Sequence, residues 1–122
     1  MIAVYHYPKC STCRSALKWL DAHGVKYERI DIVEAPPSRA TLEKVLRQSE
    51  LPIARLFNTS GQSYRDGNFK RRLPKLSTAE ALAALASDGK LIKRPLLIAP
   101  DRVLVGFDES AYDAAFGRRA AT

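Results

Sequence analysis

The sequence predicts an α/β fold, in which a four-stranded mixed sheet is flanked by helices and a helical insert separates a βαβ half from a ββα half. Two strand-like segments near the start are separated by a helical pattern, and a crossover of that kind pairs strands in parallel. Two more strand-like segments lie close together near the end and predict a hairpin. With 122 residues, 46% of them hydrophobic, the chain is long enough for one domain with its own core.

The βαβ half lies at the start of the chain. Residues 2–7 are rich in β-branched and aromatic side chains and end at Pro8, which is typical of a short strand. Apolar residues then recur at helical spacing over residues 11–23, and Gly24 is placed to end that helix. Residues 27–33 predict the second strand.

The insert has helix start and stop signals. Ser38 is a candidate N-cap after a Pro-Pro break, and Ser77 with Glu80 three residues later forms a capping box. We expect Gly89 to end the second of these helices. Residues 56–74 between them are polar and contain glycine, which predicts short helical turns.

The ββα half closes the fold. Residues 96–99 and 103–106 flank a Pro-Asp-Arg turn and predict an antiparallel hairpin, while Asp108 is a candidate cap for a last helix. The predicted boundaries are a single domain over residues 1–117, a helical insert at about 37–90 and a flexible basic tail at 118–122.

The net charge of +7 favours anions as partners. The 20 lysines and arginines are nevertheless spread along the chain, and the densest groups are residues 70–72 and 118–119. The sequence has no helix-turn-helix pattern, zinc spacing or glycine-rich phosphate loop beside them. We therefore predict a solvated basic surface and no direct binding of nucleic acid.

The sequence also has no secretory signal pattern, and no apolar run approaches the ~18–20 residues that span a bilayer. We expect a cytoplasmic protein with no membrane partner. Thiols are kept reduced in that compartment, and structural disulfides are rare there.

The two cysteines of the chain, Cys10 and Cys13, lie three residues apart where the first strand passes into the first helix. Unpaired N–H groups and the dipole at a helix N-terminus stabilise an anion, so we predict that the pKa of Cys10 is lowered. Lys9 and Arg14 add positive charge that acts in the same direction. Cys13, one turn along, is placed to form a disulfide with Cys10.

Other interpretations of these residues are weaker. A CxxC pair can be half of a zinc site, but the other half is missing, and the two histidines are His6 and His23. A cysteine can also be a small buried hydrophobic residue. A CxxC pair beside a βαβ unit favours redox chemistry, and no metal site is predicted. His6 either tunes Cys10 or only completes the strand, and Arg94, judged from the residues alone, is a surface arginine.

These residues resemble a known family. His6, Cys10 and Arg14 have the spacing of the active-site motif of the arsenate reductase (ArsC) family, and the Cys10–Cys13 pair is similar to the redox switch of the related Spx-type regulators. The resemblance extends from residue 1 to about residue 116. The later segments that agree with it are residues 56–61, Tyr64-Arg65, residues 93–95 and residues 103–107.

The resemblance implies a thioredoxin-like fold with a helical insert. It implies that Cys10 is the nucleophile and that the Arg94–Pro95 bond is cis, with Arg94 beside the thiol. In the arsenate reductases of this family the thiolate attacks arsenate, and glutathione with glutaredoxin completes the reduction. No bound cofactor is expected. The residues predicted to tune the thiol or to bind substrate are His6, Lys9, Ser11, Thr12, Arg14, Arg94 and Pro95.

The chain departs from the arsenate reductase pattern at three positions. Asn58 and Gly106 stand where two of the three oxyanion-holding arginines are expected. Arsenate held by one arginine loses charge-assisted hydrogen bonds worth roughly 1.5–3 kcal/mol each. Cys13 stands where that family has a serine, which favours an internal disulfide.

Two function classes follow. The leading hypothesis is a thiol oxidoreductase that acts on a small oxyanion or a disulfide, with glutathione, glutaredoxin or thioredoxin as the electron donor. The alternative is an Spx-type redox-sensing regulator whose partner is the RNA polymerase α subunit. A glutathione-dependent enzyme acting on another small molecule is a third interpretation.

Overall fold

The computed structural model describes residues 2–117. The predicted basic tail, with Arg118 and Arg119, lies outside the described residues. The chain divides into two compact units. The first unit comprises the chain up to Ile30 together with the chain from Arg94 onward, and the second unit is Asp31–Lys93.

The first unit is built around the four-stranded mixed sheet, which confirms the predicted fold class. The strand order is β2-β1-β3-β4, and both the β1–β3 and β3–β4 pairs are antiparallel. The Glu28 amide donates to the Ile2 carbonyl at 2.8 Å, beside the β1–β2 pair. The strands are β1 (Ala3–His6), β2 (Glu28–Asp31), β3 (Leu96–Ile98) and β4 (Val103–Val105).

Helix α1 (Ser11–Ala22) follows β1 after a four-residue turn. Its buried residues recur at helical spacing and form one inner stripe. The helix ends at Ala22 with His23 as its C-cap, and Gly24 follows with a φ of +68°, a left-handed conformation that glycine adopts without strain. The residues of the stripe are Cys13, Ala16, Leu17, Trp19 and Leu20.

A hydrophobic core joins α1 to the sheet and to the last described helical segment, which contains Tyr112 and Phe116. Val4 of β1 and Leu97 of β3 are fully buried in this core, as is Tyr112. Tyr112 ends helix α6 (Glu109–Tyr112), which continues as a π-helical turn at Asp113–Gly117. The Asp108 carboxylate caps α6 by accepting from the Ser110 amide at 2.9 Å, as predicted.

The second unit contains the other four helices. Ser38 caps the first of them, and the Ser77–Glu80 capping box is present in full, so both predicted helix starts are confirmed. Short turns of 3₁₀-helix at Ile53–Leu56 and Leu73–Lys75 lie between these helices, and a third turn at Gly89–Leu91 follows the last of them. The helices are α2 (Arg39–Ser49), α3 (Gln62–Asp66), α4 (Phe69–Arg72) and α5 (Thr78–Ser87). No helix within residues 2–117 is long and apolar enough to cross a membrane.

The prediction that Gly89 ends α5 is wrong. The helix ends at Ser87 with Asp88 as its C-cap, the Asp88 carboxylate accepts from the Lys90 amide at 3.0 Å, and Gly89 begins the next turn instead. The reason for a glycine is steric, because a Cβ at this buried position would overlap the backbone carbonyl group of Ile32.

We expect Gly89→Ala to lower the free energy of unfolding by about 2–3 kcal/mol, because the atom in its way belongs to the backbone and is unable to rotate aside. Urea denaturation measures this change. Gly61→Ala is the matched control, since a Cβ there meets mainly the mobile end of the Asn58 side chain. Equal losses in the two variants would contradict the steric explanation.

Candidate active site

Cys10 occupies the N-cap position of α1. Its backbone is extended, with φ −98° and ψ 113°, and its sulfur accepts the Cys13 amide N–H at 3.2 Å. The Cys10 amide donates in turn to the Tyr7 carbonyl at 3.0 Å, which fixes the turn after β1. The sulfur therefore takes the place of the side-chain oxygen that usually caps a helix, at the positive end of the helix dipole.

Cys13 lies one turn further along α1, on the buried inner stripe. Its exposed fraction is 0%, whereas Cys10 is half-buried, and both residues are free thiols. Burial raises the pKa of Cys13 to about 12, and the side-chain hydrogen bond with Cys10 acts in the same direction. Cys13 is therefore a neutral thiol at physiological pH.

The pKa of the Cys10 thiol is shifted in the opposite direction, downward. Partial burial works to raise its pKa, but hydrogen bonds from Cys13, together with the hydrogen bond and positive charge of Arg94, outweigh that effect and lower it. Cys10 is thus the thiol of the pair that forms a nucleophilic thiolate more readily.

Arg94 is brought to the site from the start of β3, far away in sequence. The Arg94–Pro95 peptide bond is cis, as the resemblance implied. The guanidinium carbon lies 4.8 Å from the centroid of the Tyr7 ring, in cation–π contact. Arg94 is half-buried, so the expectation from the residues alone that it lies on the surface is wrong.

One nitrogen of Arg94 has no protein partner. Among the side-chain atoms that the structure describes, Nη1 of Arg94 is buried without a hydrogen bond, although the guanidinium group acts on Cys10. A buried donor without a partner is costly, and such atoms occur where a ligand is bound.

The remaining predicted residues surround this centre. Lys9, Ser11, Thr12 and Arg14 are exposed. The Arg14 guanidinium donates to the Pro8 carbonyl at 3.0 Å, so it braces the turn before the helix. His6 ends β1 and is half-buried, and Pro95 is buried. Their roles toward substrate stay predictions.

Gly106 and Asn58, which stand where two oxyanion-holding arginines were expected, have different environments. Gly106 has a φ of +78°, and its amide donates to the Pro95 carbonyl at 2.8 Å. An arginine on this left-handed backbone would be strained. Asn58 belongs to the second unit, where its backbone amide donates to the Leu91 carbonyl at 2.7 Å.

Two tyrosines were missed by the sequence reasoning. Tyr7 stacks on Arg94 through a contact that joins two distant segments. Tyr112 has a fully buried hydroxyl group without a hydrogen-bond partner among the described residues, and burial raises its pKa. No local pattern in the sequence could have indicated either contact.

No group of three or more His, Cys, Asp or Glu side chains in residues 2–117 is arranged to hold a metal ion.

Comparisons with known proteins agree on one family. The model of the ArsC family matches residues 5–115. The uncharacterized protein YusI of Bacillus subtilis is 46% identical over 112 residues, which cover 92% of this chain and 95% of YusI. The global transcriptional regulator Spx of Listeria monocytogenes is 26% identical over 122 residues, which cover 100% of this chain and 92% of Spx.

The solved structures give the same result. The crystal structure of a possible arsenate reductase from Streptococcus mutans UA159 superposes with a TM-score of 0.88 at 44% identity. The match covers 95% of this chain and 98% of that chain.

We expect alkylation of Cys10 to rise with pH around a midpoint below the usual thiol value of about 8.5, because only the thiolate reacts and its pKa is lowered. Arg94→Gln should move that midpoint upward, since it removes a positive charge beside the sulfur. Rates of iodoacetamide labelling at each cysteine, read by peptide mass spectrometry, measure the shift.

Arg14→Gln is the matched control, because this exposed guanidinium bonds to the Pro8 carbonyl and is not among the groups that lower the pKa of Cys10. An unchanged midpoint in Arg94→Gln would show that Arg94 does not set the reactivity of the thiol.

Proposed function

The chain belongs to the ArsC family, and we propose that it is a cytoplasmic thiol-dependent oxidoreductase with Cys10 as nucleophile and Cys13 as resolving thiol. The observation that supports this most strongly is the hydrogen bond from the Cys13 amide to the Cys10 sulfur at 3.2 Å. This hydrogen bond holds the Cys10 sulfur at the helix N-terminus, next to the backbone of Cys13.

In the first step the Cys10 thiolate attacks one sulfur of an oxidised substrate R–S–S–R′. A bond forms between Cys10 Sγ and the R sulfur, and the R′ sulfur leaves with the electron pair as a thiolate. Arg94 helps this step because its hydrogen bond and positive charge stabilise the attacking thiolate.

In the second step Cys13 displaces the substrate from Cys10. The raised pKa of Cys13 comes from burial and also from its hydrogen bond to Cys10 and the charge of Cys10. Once Cys10 is in a mixed disulfide it carries no charge, so the contribution of that charge is lost and Cys13 ionises more easily. Cys13 then attacks Cys10 Sγ, the R sulfur leaves, and a Cys10–Cys13 disulfide remains.

A cellular thiol reduces that disulfide. Two equivalents of glutathione, or one dithiol protein of the glutaredoxin or thioredoxin class, supply the two electrons and regenerate both thiols. The protein needs no bound cofactor for this cycle.

The substrate class follows from the positive charge at the thiol. Arg94 is the one arginine that acts on Cys10 among the described residues, and the left-handed backbone of Gly106 disfavours an arginine there. A disulfide needs less positive charge than arsenate does, so we propose disulfides ahead of oxyanions. Arsenate reduction with glutathione, compared between the unsubstituted protein and Cys10→Ser, tests this order: a rate that depends on Cys10 would place arsenate among the substrates.

The second candidate function is redox sensing. The Spx relative matches the whole of this chain, and a Cys10–Cys13 disulfide would serve a sensor as well as an enzyme. The partner in that case is the RNA polymerase α subunit. Pulldown of RNA polymerase with the oxidised and the reduced protein separates the two functions, because only a sensor binds it in a redox-dependent manner.

We expect Cys13→Ser to stop at the mixed disulfide, because its hydroxyl group is unable to displace the substrate from Cys10. After oxidised glutathione is added, intact mass spectrometry should find one glutathione on each molecule of this variant. The unsubstituted protein should instead lose two hydrogens and keep no glutathione.

Cys10→Ser is the control and should stay unmodified, because the buried, neutral Cys13 is a poor nucleophile. A stable glutathione adduct on the unsubstituted protein would show that Cys13 does not resolve it.

A further inference from the structure

Tyr7 contacts two parts of the candidate active site that come from distant segments of the chain. Its backbone carbonyl accepts the Cys10 amide N–H at 3.0 Å. The centroid of its half-buried ring lies 4.8 Å from the guanidinium carbon of Arg94. One residue therefore fixes the turn that carries the Cys10 sulfur and also contacts the arginine whose hydrogen bond and charge act on that sulfur.

The sheet brings Tyr7 and Arg94 together. Strands β1 and β3 are antiparallel, and Tyr5 pairs with Leu96. Tyr7 follows Tyr5 by two residues, and Arg94 precedes Leu96 by two residues. Antiparallel pairing places these two positions at the same end of the two strands, where β1 passes into the turn before Cys10. The fold itself therefore brings the ring and the guanidinium group within reach of each other.

In the part of the chain that the structure describes, no carboxylate holds the charged group of Arg94. Neither of the ion pairs within residues 2–117 includes this arginine, and its Nη1 atom is buried without a hydrogen-bond partner there. A long side chain loses conformational freedom when it is held in one place, so a contact must offset that loss. The negative face of an aromatic ring attracts a guanidinium group, most strongly where water is excluded. The ring of Tyr7 supplies this contact.

We infer that Tyr7 is a positioning residue, whose ring holds the guanidinium group of Arg94 beside the Cys10 sulfur, where its positive charge favours the thiolate. This inference rests on the proposed function, in which Cys10 is the nucleophile. Tyr7 acts through Arg94 and makes no contact with substrate. Because the attraction needs only an aromatic face, phenylalanine should replace Tyr7, whereas an aliphatic side chain should not.

The pH dependence of Cys10 alkylation by iodoacetamide tests the inference. We expect Tyr7→Leu to move the midpoint upward, by at least half of the shift that Arg94→Gln produces, because the released guanidinium group spends less time beside the sulfur. Tyr7→Phe should leave the midpoint unchanged. Tyr7→Met repeats the measurement with a longer apolar side chain, and it takes the place of Tyr7→Leu if the leucine variant does not fold.

A second set of variants shows whether Tyr7 acts through Arg94. The Arg94→Gln protein has no guanidinium group for the ring to hold, so adding Tyr7→Leu should not move its midpoint further. Tyr27→Leu is the matched control. It removes another half-buried ring of the same unit, whose hydroxyl group donates to the Asp21 carboxylate in the last turn of α1, and it should leave the midpoint unchanged.

Three results overturn the inference. An unchanged midpoint in the folded aliphatic variants shows that the ring does not hold Arg94 in place. An equal upward shift with and without Arg94 shows that Tyr7 acts on the turn before the helix and not through the arginine. A shift in Tyr7→Phe as large as that in Tyr7→Leu shows that the aromatic face is not what matters.

The same titration separates this inference from the proposed function. If Cys10 of the unsubstituted protein titrates at or above the usual thiol value of about 8.5, the proposed nucleophile is not activated, and the proposed function and the role of Tyr7 fail together. If the midpoint is low but does not depend on Tyr7, only the inference fails.

Discussion

The first amide groups of helix α1 lack partners within the helix, and the structure supplies a sulfur to one of them. Most helices meet this need with a hydroxyl or carboxylate oxygen, as Ser38, Ser77 and Asp108 do elsewhere in this chain. At Cys10 the capping atom is also the sulfur whose pKa is lowered. The hydrogen bond that begins the helix thereby orients the sulfur, lowers its pKa and ties the reactive state of the site to the local fold.

The surroundings of Cys10 and Cys13 shift the pKa values of these two thiols in opposite directions, although the residues lie within one helical turn. The first accepts hydrogen bonds and faces an arginine, whereas the second points into the core and loses its solvent. Because each thiol contributes to the pKa shift of the other, a covalent change at Cys10 would also change the pKa of Cys13. The order of events in the proposed cycle follows from this coupling and needs no separate switch.

Structural features that depend on residues close together in the sequence could be predicted. Those that depend on residues far apart in the sequence could not. The three side-chain caps, the helix after Cys10 and the closing hairpin depend on residues a few positions apart. The burial of Arg94, its contact with Tyr7 and the isolation of the Tyr112 hydroxyl group depend on segments about ninety residues apart that meet only in the folded sheet. Gly89 illustrates the same limit, because the carbonyl group that excludes a side chain there belongs to Ile32.

The left-handed backbone of Gly106 has an evolutionary consequence. An arginine introduced there to hold an oxyanion would meet a penalty of roughly 1–2 kcal/mol before it contributed any binding. That penalty is a modest part of a domain stability of about 5–15 kcal/mol, so the substitution is survivable but is disfavoured until the turn itself changes. An arginine at this position therefore becomes favourable more easily after a change in the turn has removed the left-handed conformation.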